Sequence, residues 1–190
     1  EYNLTLLVMW LALGLTLMQF VRGPLTRGAA AIAYPLLVLV ALVVIVNTNI
    51  SIVRADVIYK QGLRYDGESQ WSDAVRYYRR AMDIAPHEDF YCLFAGRALM
   101  EQAKVEQQPA QREAYFSEAE KVLLTARELN PLNTDHTANL ARLYRTWGEA
   151  SDDAALREQR LQQAAALYRE AIALSPNSAQ LLNESGLVLY

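Results

Sequence analysis

The 190 residues carry 18 Lys plus Arg against 21 Asp plus Glu, a net charge of −3, and 53% are hydrophobic. That balance gives no electrostatic reason to expect nucleic acid, and eight Gly with six Pro exclude a collagen-like or disordered chain. The charges are unevenly spread: residues 1–53 hold three (Glu1, Arg22, Arg27) and the other 137 residues hold 36.

Residues 2–21 and 28–53 are free of charged side chains. About twenty apolar residues at 1.5 Å each cross a ~30 Å hydrocarbon layer. The pattern therefore predicts a transmembrane helical hairpin over 1–53, turned by RGPLTR, with membrane lipid as one partner. A signal peptide would want a basic start and a shorter apolar core than the first run offers. Pro35 is expected in the first turns of the second helix, where a missing N–H is tolerated. Residues 49–54 contain neither Gly nor Pro, so this helix is expected to continue into the next element. Arg22 and Arg27 favour a cytoplasmic turn and an extracytoplasmic remainder, while Arg54, Lys60 and Arg64 pull the other way. The lean is slightly outward.

From residue 54 the chain repeats itself. AVRYYRRAMDIAP, AEKVLLTARELNP and AAALYREAIALSP end at Pro86, Pro131 and Pro176, 45 residues apart each time. Twelve, eight and five residues before each Pro stand a small residue (Ala74, Ala119, Ala164), a large one (Tyr78, Leu123, Tyr168) and Ala (Ala81, Ala126, Ala171). Spacings of four and three place them on one helical face. Each such helix has an upstream partner with a phased small residue at Gly62, Gly96 or Ala141, and a fourth partner follows at Gly186. Phased helix pairs of this kind predict a helical-hairpin solenoid.

These residues closely resemble the tetratricopeptide repeat, which Ala55 onward fits without gaps: Gly62, Tyr65, Ala74, Tyr78, Ala81, Pro86. With the hairpin predicted over 1–53, the resemblance implies an all-α fold whose remainder, 54–190, is a right-handed α-solenoid. Its repeats fall at about 55–88, 89–133 and 134–178, with a partial one at 179–190. The second and third carry eleven extra residues before their second helix, almost three whole turns, so lengthened helices keep their faces in phase. Helices are expected over 54–66, 70–84, 88–106, 110–129, 134–149 and 153–174, and from 178. Pro109 and Asp152–Asp153 fit the corners between paired helices.

No catalytic arrangement, phosphate loop or metal-ligand spacing is read from the sequence, and no cofactor is expected. Cys92 has no partner for a disulfide and reads as a small buried hydrophobe. His87 and His136 stand near repeat starts, where surface or capping use is the plain reading. The family's phase turns positions 2, 5, 9 and 12 of each repeat toward an inner surface. The candidate binding surface is Tyr59, Phe90, Arg97, Arg142, Arg145 and Asn183. Arginine forks suit carboxylate or phosphate and the aromatics supply apolar contact. A protein or peptide partner is therefore expected, an acidic chain or a glycan being the chemistry favoured. The lysine–asparagine clamp for chaperone carboxylates is missing, with Tyr59 and Leu63 where it would begin.

A second likeness concerns the join. VMWLALGLTLMQFVR and RADVIYKQGLRYDGESQWSDAVRYYRRAMDIAPHEDFY resemble the C-terminal part of bacterial O-antigen ligase or polymerase-like membrane proteins that carry such repeats. That resemblance implies the bacterial inner membrane and a parent enzyme whose catalytic loops lie outside these residues. Under it, this segment is a membrane-anchored interaction module without a catalytic site. The alternative is a non-enzymatic scaffold subunit of a larger membrane complex.

Overall fold

The computed structural model describes residues Trp10, Gly14 and 27–188. Along 27–188 they form seven helices: α1 (Arg27–Gly67), α2 (Trp71–Ile84), α3 (Asp89–Val105), α4 (Pro109–Leu129), α5 (Thr134–Glu149), α6 (Ala154–Leu174) and α7 (Ala179–Gly186). The chain divides into two units, Glu1–Thr48 and Asn49–Tyr190.

In the first unit, Ile32 and the run Leu36, Leu37, Val38, Leu39 and Val40 expose more than half of their surface. Pro35 stands inside α1 and not in its first turn. Among the described residues one helix is long and apolar enough to cross a membrane, its apolar stretch lying within Pro35–Gly67. This corrects the expected fold class, because a second such helix is not found. The two-span inner-membrane location and its outward lean fall with the hairpin. The first expected span, 2–21, lies outside the described residues except for Trp10 and Gly14, both helical. A charge-free run fixes length and composition, which do not by themselves make a span.

The second unit is built from helix pairs interlocked by size. A Cβ added to Gly62 on α1 would lie 2.6 Å from the Tyr78 ring on α2, and one on Gly96 of α3 would lie 2.5 Å from Leu123 Cγ on α4. The absent side chains let the backbones approach, and the large residue opposite fills the seam. Tyr78, Leu123 and Tyr168 are fully buried, as are Ala81, Ala126 and Ala171 one turn on. Burying each large side chain contributes about 2 kcal/mol. A Cβ on Gly186 would meet nothing within 4 Å, so the fourth phased glycine has no seam among the described residues.

The extra eleven residues become helix. α2 has 14 residues, whereas α4 and α6 have 21 each. Their added turns build a second seam, in which Trp147 stacks on Phe116 at 5.7 Å and the Arg160 guanidinium lies 4.0 Å above the Trp147 ring. Glu113 on the first added turn of α4 accepts from Trp147 Nε1 at 2.7 Å and from Arg160. Pro109 is the first residue of α4, where no intrahelical partner is lost. Asp153 caps α6, accepting from the backbone N–H groups of Ala155 and Leu156.

His136 departs from its plain reading. It is fully buried, and its Nε2 hydrogen-bonds Asp89 Oδ2 at 2.5 Å, tying the start of α5 to the start of α3. Burial alone would raise the Asp89 carboxyl, but hydrogen bonds from His136, Asn130 and Asn133 hold it below its ordinary 3.8. Cys92 is buried, and burial raises its thiol.

Candidate functional site

The first helices of successive repeats line a groove of about 540 Å³ within the second unit. Phe90, Phe94 and Arg97 reach it from α3, and Asp135, Arg142 and Arg145 from α5, with Gln180 from α7 beyond. Four of the six sequence-derived surface residues therefore share one wall: Phe90, Arg97, Arg142 and Arg145.

The other two lie elsewhere. Tyr59 is buried behind the wall, its ring 5.1 Å from Phe90, 5.2 Å from Phe94 and 5.5 Å from Tyr91. It supports the aromatic end of the groove without lining it. Asn183 is exposed on α7 and is outside the groove lining. Phe94 and Lys104 line the groove without having been singled out in the sequence. Phe94 stands at position 6 of its repeat, one step outside the four inward positions, and the bulk of an aromatic there was the available signal.

The cations differ in how far the protein neutralises them. Arg142 makes a two-point pair with Glu184, 2.7 Å from Nε and 3.1 Å from Nη2. Glu184 also accepts from Gln180 at 2.8 Å and from Tyr168 at 3.3 Å. Burial would raise this carboxyl, but Arg142 and Gln180 outweigh it and hold it below its ordinary 4.5. Burial, and then the charge of Glu184, pushes Tyr168 up to about 12. Lys104 lies 2.6 Å from Glu101, and Arg145 is 3.7 Å from Glu149. The Arg145 Nε is enclosed without an acceptor.

Arg97 is exposed and makes no ion pair among the described residues. Its guanidinium sits 5.3 Å from the Phe94 ring centre. The reason is positional. Arg142 stands at position 9 and meets Glu184 at position 6 of the following repeat. The residue equivalent to Glu184 in the repeat after Arg97 is Asn139, an amide already donating to Asp135 O at 2.7 Å. The groove thus presents one uncompensated guanidinium beside two phenyl rings, suited to a carboxylate next to an apolar group. Among the described residues no three His, Cys, Asp or Glu side chains group as metal ligands.

No protein-family model and no curated protein matches the sequence. Solved structures do. The first tetratricopeptide domain of Spaghetti (RPAP3), bound to the HSP90 peptide SRMEEVD, aligns over 70% of this chain and 89% of its own, at 20% identity and a TM-score of 0.54. The Arabidopsis OM64 tetratricopeptide domain aligns over 73% and 96%, at 17% identity and 0.57. The first such domain of human RPAP3 aligns over 70% and 88%, at 19% identity and 0.56. At these identities the likeness is one of fold: the chain contains an all-α solenoid of the tetratricopeptide-repeat type.

Proposed function

We propose that the groove between α3 and α5 captures an extended acidic peptide segment, with Arg97 as its principal anion contact. The observation behind this reading is the uncompensated Arg97 charge beside Phe90 and Phe94. Arg145 adds a second donor group on the same wall, from α5, and Arg142 is already engaged by Glu184. The peptide seated on the RPAP3 domain is also acidic. The test is fluorescence polarisation of the full chain with a labelled Leu-Glu-Glu peptide and its Leu-Gln-Gln counterpart. The acidic peptide should bind more tightly, less so at high salt, and replacing Arg97 and Arg145 together by Ala should weaken it by ~2 kcal/mol. Equal binding of both peptides contradicts the reading.

The resemblance of residues 8–22 and 54–91 to O-antigen ligase or polymerase-like proteins supports a wider setting. In it this module is the recruiting arm of a glycan-transferring parent, and the anion it meets belongs to a partner protein or a phosphorylated glycan. The alternative setting is a scaffold subunit without an enzyme. Reading the gene upstream of Glu1 separates them: many further hydrophobic segments support the first, and a start codon immediately before Glu1 contradicts it.

A further inference from the structure

Asp135 is the other exposed charge of the groove without an ion pair among the described residues. It stands at position 2 of its repeat and Arg142 at position 9, as Phe90 and Arg97 do in the repeat before. Seven helical residues separate the two levels, about 10 Å. The His136–Asp89 bond holds the levels in register, because His136 follows Asp135 and Asp89 precedes Phe90. One level of the wall therefore offers a carboxylate beside Phe90. The other offers the free Arg97 guanidinium opposite the neutralised Arg142.

Two opposite charges on levels about 10 Å apart along the helix axes, on a wall that also carries Phe90 and Phe94, select more than acidity. Resting on the peptide-binding reading, we infer that the groove takes a segment bearing a basic and an acidic side chain three residues apart. The basic group lies over Asp135 and the acidic group at Arg97, while the aliphatic stem of the basic side chain runs along Phe90. A polyproline-II segment has three residues per turn and advances about 3.1 Å per residue, so side chains i and i+3 share a face about 9 Å apart. A β-strand would turn those two side chains to opposite faces. The ligand is thus a polyproline-II-like peptide, and the Asp135 contact fixes its register along the wall. Asp135 also lies in the first turn of α5, where any acid favours the helix dipole. The test must move a quantity that this local role leaves alone.

The full chain is titrated with three labelled peptides in Gly-Ser flanks: Lys-Leu-Pro-Glu, Ser-Leu-Pro-Glu and Glu-Leu-Pro-Glu. The lysine peptide should bind about fivefold more tightly than the serine peptide, the scale of an exposed ion pair, and the double acid most weakly. Asp135→Lys should invert the order, making Glu-Leu-Pro-Glu the tightest, which a merely structural Asp135 would not produce. Asp135→Asn, which retains the helix cap geometry, should make the lysine and serine peptides equal. Wild type binding those two peptides equally, or Asp135→Asn keeping the lysine preference, overturns the inference and leaves acidic capture standing. Binding of none of the three overturns the groove reading and this inference together.

Discussion

The seams between paired helices and the wall of the groove are made from the same helices under different rules. Where α1 meets α2 and α3 meets α4, the large residue faces a specific absence: Tyr78 faces Gly62, and Leu123 faces Gly96. Size is dictated there because a closely packed interior has no room for a second solution. On the wall, three arginines at equivalent or adjacent positions have three different environments. Arg142 is locked to Glu184, Arg145 leans on Glu149, and Arg97 is uncompensated. A seam residue is explained by its partner one helix away. A wall residue is explained by whatever charge the next repeat happens to carry.

The sharpest break of this contrast is Ala81→Arg. Ala81 is fully buried in the first seam, and a guanidinium there has neither room nor partner, so the loss should exceed about 4 kcal/mol. A wild-type melting temperature for this variant would remove the seam account. Trp147→Ala comes next, because it empties the stack on Phe116 and strips Arg160 and Glu113 of a common partner. A loss of about 3 kcal/mol is expected by chemical denaturation; a small loss would mean that the added turns of α4 and α6 pack without it.

Glu184→Gln should cost about 1–2 kcal/mol, since it leaves the Arg142 charge unpaired. It should also change the acid limb of stability. Asp89 and Glu184 both titrate below their ordinary 3.8 and 4.5 in the folded state, so their contributions are complete above those values. They are lost as pH falls through the lowered ones. Melting temperatures between pH 6 and 3 should therefore fall less steeply in the variant. The smallest effect is Asp153→Ala, which removes the cap on Ala155 and Leu156 and should cost about 1 kcal/mol.

Seam residues were legible in the sequence because burial imposes spacing. Small, large and alanine positions recur at fixed distances from Pro86, Pro131 and Pro176, and the helices follow within a residue or two. The added turns were legible as eleven residues of phase, but the Trp147–Arg160–Glu113 contact was not, because its members lie outside the repeated positions. His136 read as a surface residue because the partner that buries it, Asp89, lies 47 residues away in the sequence. The groove was half legible. Repeat phase brought Phe90, Arg97, Arg142 and Arg145 to one wall, yet nothing in the phase says that Arg142 is already paired or that Tyr59 lies behind the wall. Composition alone does not make the hairpin: two charge-free runs stand in the sequence, and one helix among the described residues is long and apolar enough to cross a membrane.

The division between holding and binding is tested most directly by setting Arg97→Ala beside Arg142→Ala. Each variant is melted and titrated with the labelled Leu-Glu-Glu peptide. Arg97→Ala should keep the wild-type melting temperature and lose binding about tenfold. Arg142→Ala should melt several degrees lower, since it removes the two-point pair that ties Glu184 of α7 to α5, and should keep most of its affinity. The reverse pattern, a stable but non-binding Arg142→Ala with an unaffected Arg97→Ala, would contradict the account.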